Sequence, residues 1–170
     1  ASIIRALGEF QNPTTGGIGL TDAKGGSSDI TAMALQALAV YRNHNTAAKN
    51  ISDKALTYLA NAMGDDFGYG TCESTAQVLL ALTSMGIDPL SDDFGTVNMN
   101  MITNLTGYIQ SDNGFSHSMS ISKSSEMSTV QALQALDSYR RFVNKETTYW
   151  DLKNKGEHAK HSWDAGTVTK

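Results

Sequence analysis

Asp29, Glu73 and Glu126 each stand at the head of an alanine- and leucine-rich segment, with Thr31, Thr75 and Thr129 close behind. Gln77 and Gln131 come two residues after the second and third of those threonines. Carboxylates, hydroxyls and amides gathered at one end of neighbouring helices make a polar rim able to recognise a ligand, provided the helices surround a concavity. The same residues also suit a structural role. An acid in a first helical turn stabilises the helix dipole by about 0.3–1 kcal/mol, and buried Thr and Gln tie helices together through hydrogen bonds. Cys72 opens the second segment, where a helix N-terminus would lower a thiol pKa, and His117 precedes the third. Their structural alternatives are a small buried residue for Cys72 and a loop residue between Ser116 and Ser118 for His117. The candidate ligand-binding residues at the cavity mouth are thus Asp29, Glu73, Gln77, His117, Glu126 and Gln131. No catalytic residue, metal ligand or cofactor is assigned.

Other polar clusters fit turns better than chemistry. Asp65-Asp66 and Asp92-Asp93 are loop pairs, expected to be solvated turn acids, and they lack the alternating spacing of an EF-hand. The glycines from Gly16 to Gly26 lack the Lys-Ser/Thr ending of a phosphate loop. Asn50-Ile51-Ser52 and Asn104-Leu105-Thr106 match the glycosylation acceptor but fall on expected helices, which makes coincidence the better reading.

The segments that position these residues are copies of one another. Asp29-Ile-Thr-Ala-Met-Ala-Leu35-Gln-Ala-Leu38, Glu73-Ser-Thr-Ala-Gln-Val-Leu79-Leu-Ala-Leu82 and Met127-Ser-Thr-Val-Gln-Ala-Leu133-Gln-Ala-Leu136 begin 44 and then 54 residues apart. Repeats of that length are supersecondary units stacked on their neighbours. The first two read as helices apolar nearly all round, which need cover on every side; the third is more polar, as a less covered flank would be. Leu35, Leu79 and Leu133 are all expected inside. Ile51, Ala55, Leu56, Tyr58, Leu59, Ala62 and Met63 form a one-sided stripe, as do Met101, Ile102, Leu105, Tyr108 and Ile109. Asn104 is expected on the wet side of the latter. The chain thus alternates sealed inner helices with half-buried outer ones.

The punctuation agrees. Glycine-rich turns, at Gly16-Gly17-Ile18-Gly19, Phe67-Gly68-Tyr69-Gly70 and Gly114-Phe115-Ser116, precede the inner helices. Ser28, Thr71 and Ser125 are expected as their capping hydroxyls. Met85-Gly86-Ile87-Asp88-Pro89 reads as a helix stop, with Ile87 folding back and Pro89 preventing continuation. Ile3, Ile4 and Leu7 resemble the end of a helix, which suggests a segment of a longer protein. Beyond Phe142 the pattern fades; Trp150 and Leu152 are expected to dock back, and residues 153–170 to form a polar tail or linker after a domain over residues 1–152.

Length and composition narrow the classes. A chain of 170 residues accommodates one domain with a core. A net charge of −4 without a basic stripe argues against nucleic acid. No apolar run approaches a bilayer-spanning length, and a single cysteine excludes an internal disulfide framework.

A glycine-aromatic turn, an acid, a Thr-Ala pair and an Ala-Leu-rich helix together resemble the repeat of the terpenoid cyclase and protein prenyltransferase superfamily. Gln11 with Gly16-Gly17, and Gln110-Ser-Asp-Asn-Gly114-Phe115-Ser116, are similar to its glutamine-to-glycine-aromatic signature. Cys72-Glu-Ser-Thr-Ala-Gln-Val78 with Gly86-Ile-Asp-Pro89, and Glu126-Met-Ser-Thr-Val-Gln-Ala132 with Tyr139-Arg-Arg-Phe142, most resemble the prenyltransferase-like surface modules of Gram-positive bacteria. The likeness covers residues 3 to 152. It implies an all-α fold, an α/α toroid of helical hairpins, here a partial barrel because the chain supplies fewer hairpins than a closed ring. Open ends of such a ring would need cover, and self-association is one way to provide it.

The superfamily's chemistries leave weaker traces. Its cyclases use a D-x-D-D motif, and neither acid pair here has the third acid. Its prenyltransferases hold zinc with Asp, Cys and His, but Gly70 stands where an Asp-x-Cys pair would need the acid. Complement-type thioesters join a Cys to a Gln three residues on, and here that residue is Thr75. Vitamin B12 carriers share the toroid, so a corrinoid or other small ligand is conceivable on this resemblance. The resemblance therefore implies a non-catalytic ligand- or partner-binding module of a secreted or cell-surface bacterial protein. The alternative is a prenyltransferase- or cyclase-like enzyme for an isoprenoid. Carbocation chemistry needs aromatic walls, whereas the inner segments offer mainly Ala, Leu, Thr and Gln. A purely structural spacer is the third class.

Overall fold

One threonine hydroxyl sets the geometry of each repeat. The backbone N–H of Ile18 donates to Thr31 Oγ1 at 2.8 Å, that of Tyr69 to Thr75 Oγ1 at 3.0 Å, and that of Phe115 to Thr129 Oγ1 at 2.9 Å. Before each clamped residue the chain makes a tight turn, closed by Asn12 N–H to Gly17 O, Gly64 N–H to Gly68 O and Gln110 N–H to Gly114 O, the first one residue longer than the others. The residue ahead of each turn glycine is left-handed: Gly16 at φ 83°, Phe67 at 60° and Asn113 at 65°. Glycine and asparagine tolerate that region; phenylalanine is strained there. An outer helix, a left-handed turn and a threonine-clamped inner helix thus form one hairpin, repeated three times.

The computed structural model describes residues 3–21, 25–91 and 93–151. Its helices are α1 (Ile3–Glu9), α2 (Ser28–Leu38), α3 (Thr46–Ala62), α4 (Cys72–Ser84), α5 (Met101–Thr106) and α6 (Glu126–Val143). Among the described residues no strand forms; Gln11–Ile18, Gly95–Asn100 and Ile109–Phe115 are isolated bridges. The all-α expectation holds. Asp92, Leu152 and the 153–170 tail lie outside the described residues, as do the first two residues of the expected domain.

Helices α2, α4 and α6 lie in a row with α4 in the middle, while α3 packs on α2, α5 on α4 and α1 on α3. The sealed character expected of two inner helices belongs to α4 alone. Its residues from Cys72 to Thr83, Ser74 excepted, are all buried. At α2, Met33 is 45% exposed, so cover on every side is not achieved there. At α6, Leu133 is 55% exposed although Leu35 and Leu79 are fully buried. The reason is position in the row: α4 has neighbours on both flanks, whereas α2 and α6 are its ends.

Smaller departures have local causes. The cap of α2 is Ser27 rather than Ser28, and it makes no side-chain cap bond; its hydroxyl donates to Asp29 instead. Thr71 and Ser125 do cap α4 and α6, accepting from the N–H groups of Ser74 and Ser128. Helix α5 stops at Thr106, so Ile109 leaves the apolar stripe, bridges to Phe115 and is exposed. Ala62 at the end of α3 is exposed too. Asn104 is buried instead of wet, because its amide sits on Gly68, where an added Cβ would come within 2.4 Å of it.

The stop after α4 matches its sequence chemistry. Gly86 is left-handed at φ 72°, and Ile87 N–H reaches back to Leu82 O at 2.9 Å. After α6 the chain turns at Lys145, φ 56°, and runs back across the row. There Tyr149 packs on the core and stands edge-on to Trp150 at 5.0 Å.

Because equivalent positions differ only in cover, truncation should separate them. Leu79→Ala is expected to cost about 2–5 kcal/mol, and Leu133→Ala less than about 1 kcal/mol. Urea midpoints measured on the two variants check this; equal losses would contradict the row order.

Candidate functional site

Of the six expected mouth residues, the structure joins four into two separate constellations. The first is built on Glu73, which α4 presents from its first turn and which is 8% exposed. Its Oε1 accepts from the Ser128 hydroxyl of α6, and its Oε2 lies 2.8 Å from His117 Nδ1 in the loop before α6. The adjoining backbone is fixed as well, Cys72 N–H donating to His117 O at 3.2 Å. The carboxylate therefore spans the α4–α6 junction. It satisfies the rule that a buried charge be paired, and it holds a half-exposed imidazole by Nδ1.

The second constellation is a line of side-chain amides across the row. Trp150 Nε1–H donates to Gln36 Oε1 at 2.9 Å, Gln36 Nε2 to Gln77 Oε1 at 2.8 Å, and Gln77 Nε2 to Gln131 Oε1 at 2.9 Å. Every bond runs the same way, so each amide polarises the next. The last donor, Gln131 Nε2, has no hydrogen-bond partner among the described residues, and its side chain is half-buried. It stands one turn along α6 from Ser128, on the same face.

Asp29 and Glu126 join neither constellation. Asp29 accepts from Ser27, and Glu126 is exposed at the start of α6. The repeat register explains the second: Met127, not Glu126, occupies the place of Asp29 and Glu73. The residues that complete the clusters, Ser128, Gln36 and Trp150, do not stand out as site residues in the sequence. For Gln36 a signal exists, since it is a polar interruption in an otherwise apolar helix. Ser128 has none, because a serine in a first helical turn usually caps its own helix.

The remaining candidates are structural. Asp66 Oδ1 accepts from Gly68 N–H at 3.1 Å, and Oδ2 from Asn104 Nδ2 at 3.0 Å, which makes it a turn acid, as expected. Asn104, buried and bonded to Asp66, is withdrawn from modification. Tyr69 and Phe115 pack beneath their hairpins; burial raises the Tyr69 pKa, and its hydroxyl donates to Leu59 O at 2.9 Å. Among the described residues, no three His, Cys, Asp or Glu side chains come together as a metal would require. No helix among them is long and apolar enough to cross a membrane.

Cys72 is buried, its sulfur 3.9 Å from Ser128 O. Burial, and then the adjoining Glu73 carboxylate, push its pKa up to about 12. Cys72 is the small buried residue that is the better reading of it, and not a dipole-lowered thiol, because desolvation of the thiolate outweighs the helix terminus.

Comparison with protein-family models, with curated proteins and with solved structures finds no match to this chain.

A thiol that holds its proton more tightly when folded stabilises the protein up to the ordinary thiol value of 9.0 and loses that contribution as pH rises toward 12. Native Cys72 is accordingly expected to resist iodoacetamide at about pH 8.5 and to alkylate readily in denaturant. Mass spectrometry of the labelled protein reads the difference; rapid labelling of the folded chain would refute the burial argument.

Proposed function

We propose that this chain is an arc of an α/α toroid acting as a binding module of a secreted or cell-surface bacterial protein, and that its ligand is received at the α4–α6 junction. The observation that carries this reading is the open end of the amide line. Three same-sense hydrogen bonds deliver a polarised N–H donor at Gln131, one helical turn from the Ser128 that bonds Glu73. That donor suits a ligand with a carbonyl, carboxylate or hydroxyl acceptor. The helical repeats support the toroid, as does the central helix closed on all sides. The resemblance of the Cys72–Val78 and Glu126–Ala132 segments to bacterial surface modules supports the setting. Binding is favoured over thiolate chemistry by the state of Cys72, since a thiol protonated up to about pH 12 offers neither a nucleophile nor a ready metal ligand.

The test is a thermal-shift screen with corrinoids, glycans, isoprenyl diphosphates and divalent metals. A ligand of the proposed site at a hundred times its Kd adds about 2.7 kcal/mol, and Gln131→Leu should abolish that gain while the variant still melts cooperatively. A hit insensitive to Gln131→Leu would move the site elsewhere. Stabilisation by zinc or an isoprenyl diphosphate that disappears in Cys72→Ala would replace the binding reading with an enzyme.

A further inference from the structure

The two ends of the helical row are complementary halves of one interface, and the geometry points to head-to-tail association of this chain with a second copy of itself. The inference uses the register of the repeats and the two junctions the chain already contains. At the α4–α6 junction, α6 turns Gln131, Ala135 and Ser138 toward α4; Ala135 and Ser138 are buried, and Ser138 Oγ lies 2.6 Å from Thr83 Oγ1. Shifting by the repeat spacings, those positions are Gln77, Ala81 and Ser84 in α4, and there Gln77 meets Gln36 of α2. In α2 they are Met33, Ala37 and Val40, and all three are exposed. The face that α4 and α6 each use to meet the preceding helix is therefore bare on α2.

The opposite face shows the converse. Ala32 and Leu35 of α2, and Ala76 and Leu79 of α4, are buried, each pair with a further helix beyond it in the row. Their counterparts in α6, Val130 and Leu133, are 49% and 55% exposed, with exposed Met127 extending the stripe at the position of Glu73. One end of the row thus offers an apolar ridge and the other an apolar hollow. The hollow is an open pocket of about 470 Å³, lined by Ile3, Met33, Ala37, Val40 and Trp150 among others. A second copy that sets its α2 against the first copy's α6 continues the row in the register of the α2–α4 and α4–α6 junctions. Such a contact is heterologous, using different faces of the two copies, and it closes into a ring or propagates. In that register Met33 of the second copy stands opposite Gln131, as Gln131 stands opposite Gln77, so the contact borders the proposed ligand site; sedimentation without ligand tests the association on its own.

Sedimentation of the whole chain, with paired charge variants, tests this. The unaltered protein is expected to gain mass with concentration beyond the 18.2 kDa monomer. Leu133→Glu removes the ridge and Met33→Glu the hollow; both side chains are exposed, so folding, checked by circular dichroism, should be intact. Each variant alone should remain monomeric, because each retains only one half of the interface. Their mixture should form a 1:1 complex and stop there, since the only intact ridge meets the only intact hollow. Failure of the unaltered chain to associate at its highest soluble concentration would overturn the inference. Association of either variant alone, or a mixture that stays monomeric, would overturn it too.

Discussion

The Thr31, Thr75 and Thr129 hydroxyls are the constraint on which the rest of the structure depends. Each accepts the N–H of the residue after a turn glycine, and each also donates to a backbone carbonyl: Ile18 O, Thr71 O or Ser125 O. A single side chain therefore locks the start of an inner helix to the end of its hairpin turn. Leaving such a buried N–H without an acceptor costs about 1–3 kcal/mol, which explains why a hydroxyl recurs where the surrounding helix is otherwise alanine and leucine. The turn can be locked only if its preceding residue is left-handed, and the three copies meet that need with Gly16, Phe67 and Asn113. Phe67 is the costly solution. Gly68 beside it must then be glycine, because Asn104 occupies the space a side chain would need.

The clamp in turn dictates the order of the row. With the turns fixed, the inner helices present the same two flanks in sequence, and small side chains at Ala81 and Ala135 bring them close. Polar residues are admitted where they bridge two helices. Gln36 meets Gln77, Gln77 meets Gln131, Thr83 meets Ser138, and Glu73 meets Ser128. Thr83 also bonds the Leu79 and Leu80 carbonyls of its own helix, while the others take their partners from a neighbouring one, and together they set the register between helices. The returning segment after α6 extends the network: Trp150 starts the amide line from beyond the third hairpin, and Arg141 lies 5.9 Å over the Tyr149 ring.

Much of this is legible from residue pattern and some of it is not, for definite reasons. Helix content and the sealing of α4 come from periodicity, and the stop at Gly86-Ile87 from its chemistry. That Thr and Gln knit helices is readable from their positions, but their partners are not, because pairing across 41 or 54 residues leaves no local mark. Leu133 departs from expectation because periodicity reports how apolar a helix is and not whether a neighbour exists to cover it. Asn104 departs for the opposite reason: a polar residue on a six-residue helix looks solvated until Gly68 is seen to leave room for it. Cys72 follows its residue type, a small buried side chain, and its packing outweighs its place at a helix start.

The third repeat shows how one register position can change role. Glu73 faces α6, and its charge is tolerable because Ser128 and His117 come to meet it. At α6 the corresponding position faces no further helix among the described residues, and a carboxylate there would have no such partners. The residue present is Met127, in line with Val130 and Leu133. A solvent-facing end of a repeat array would favour a charge at that position. An apolar side chain there, continuing a ridge whose counterparts are buried in both earlier copies, is the kind of residue that a contact surface carries.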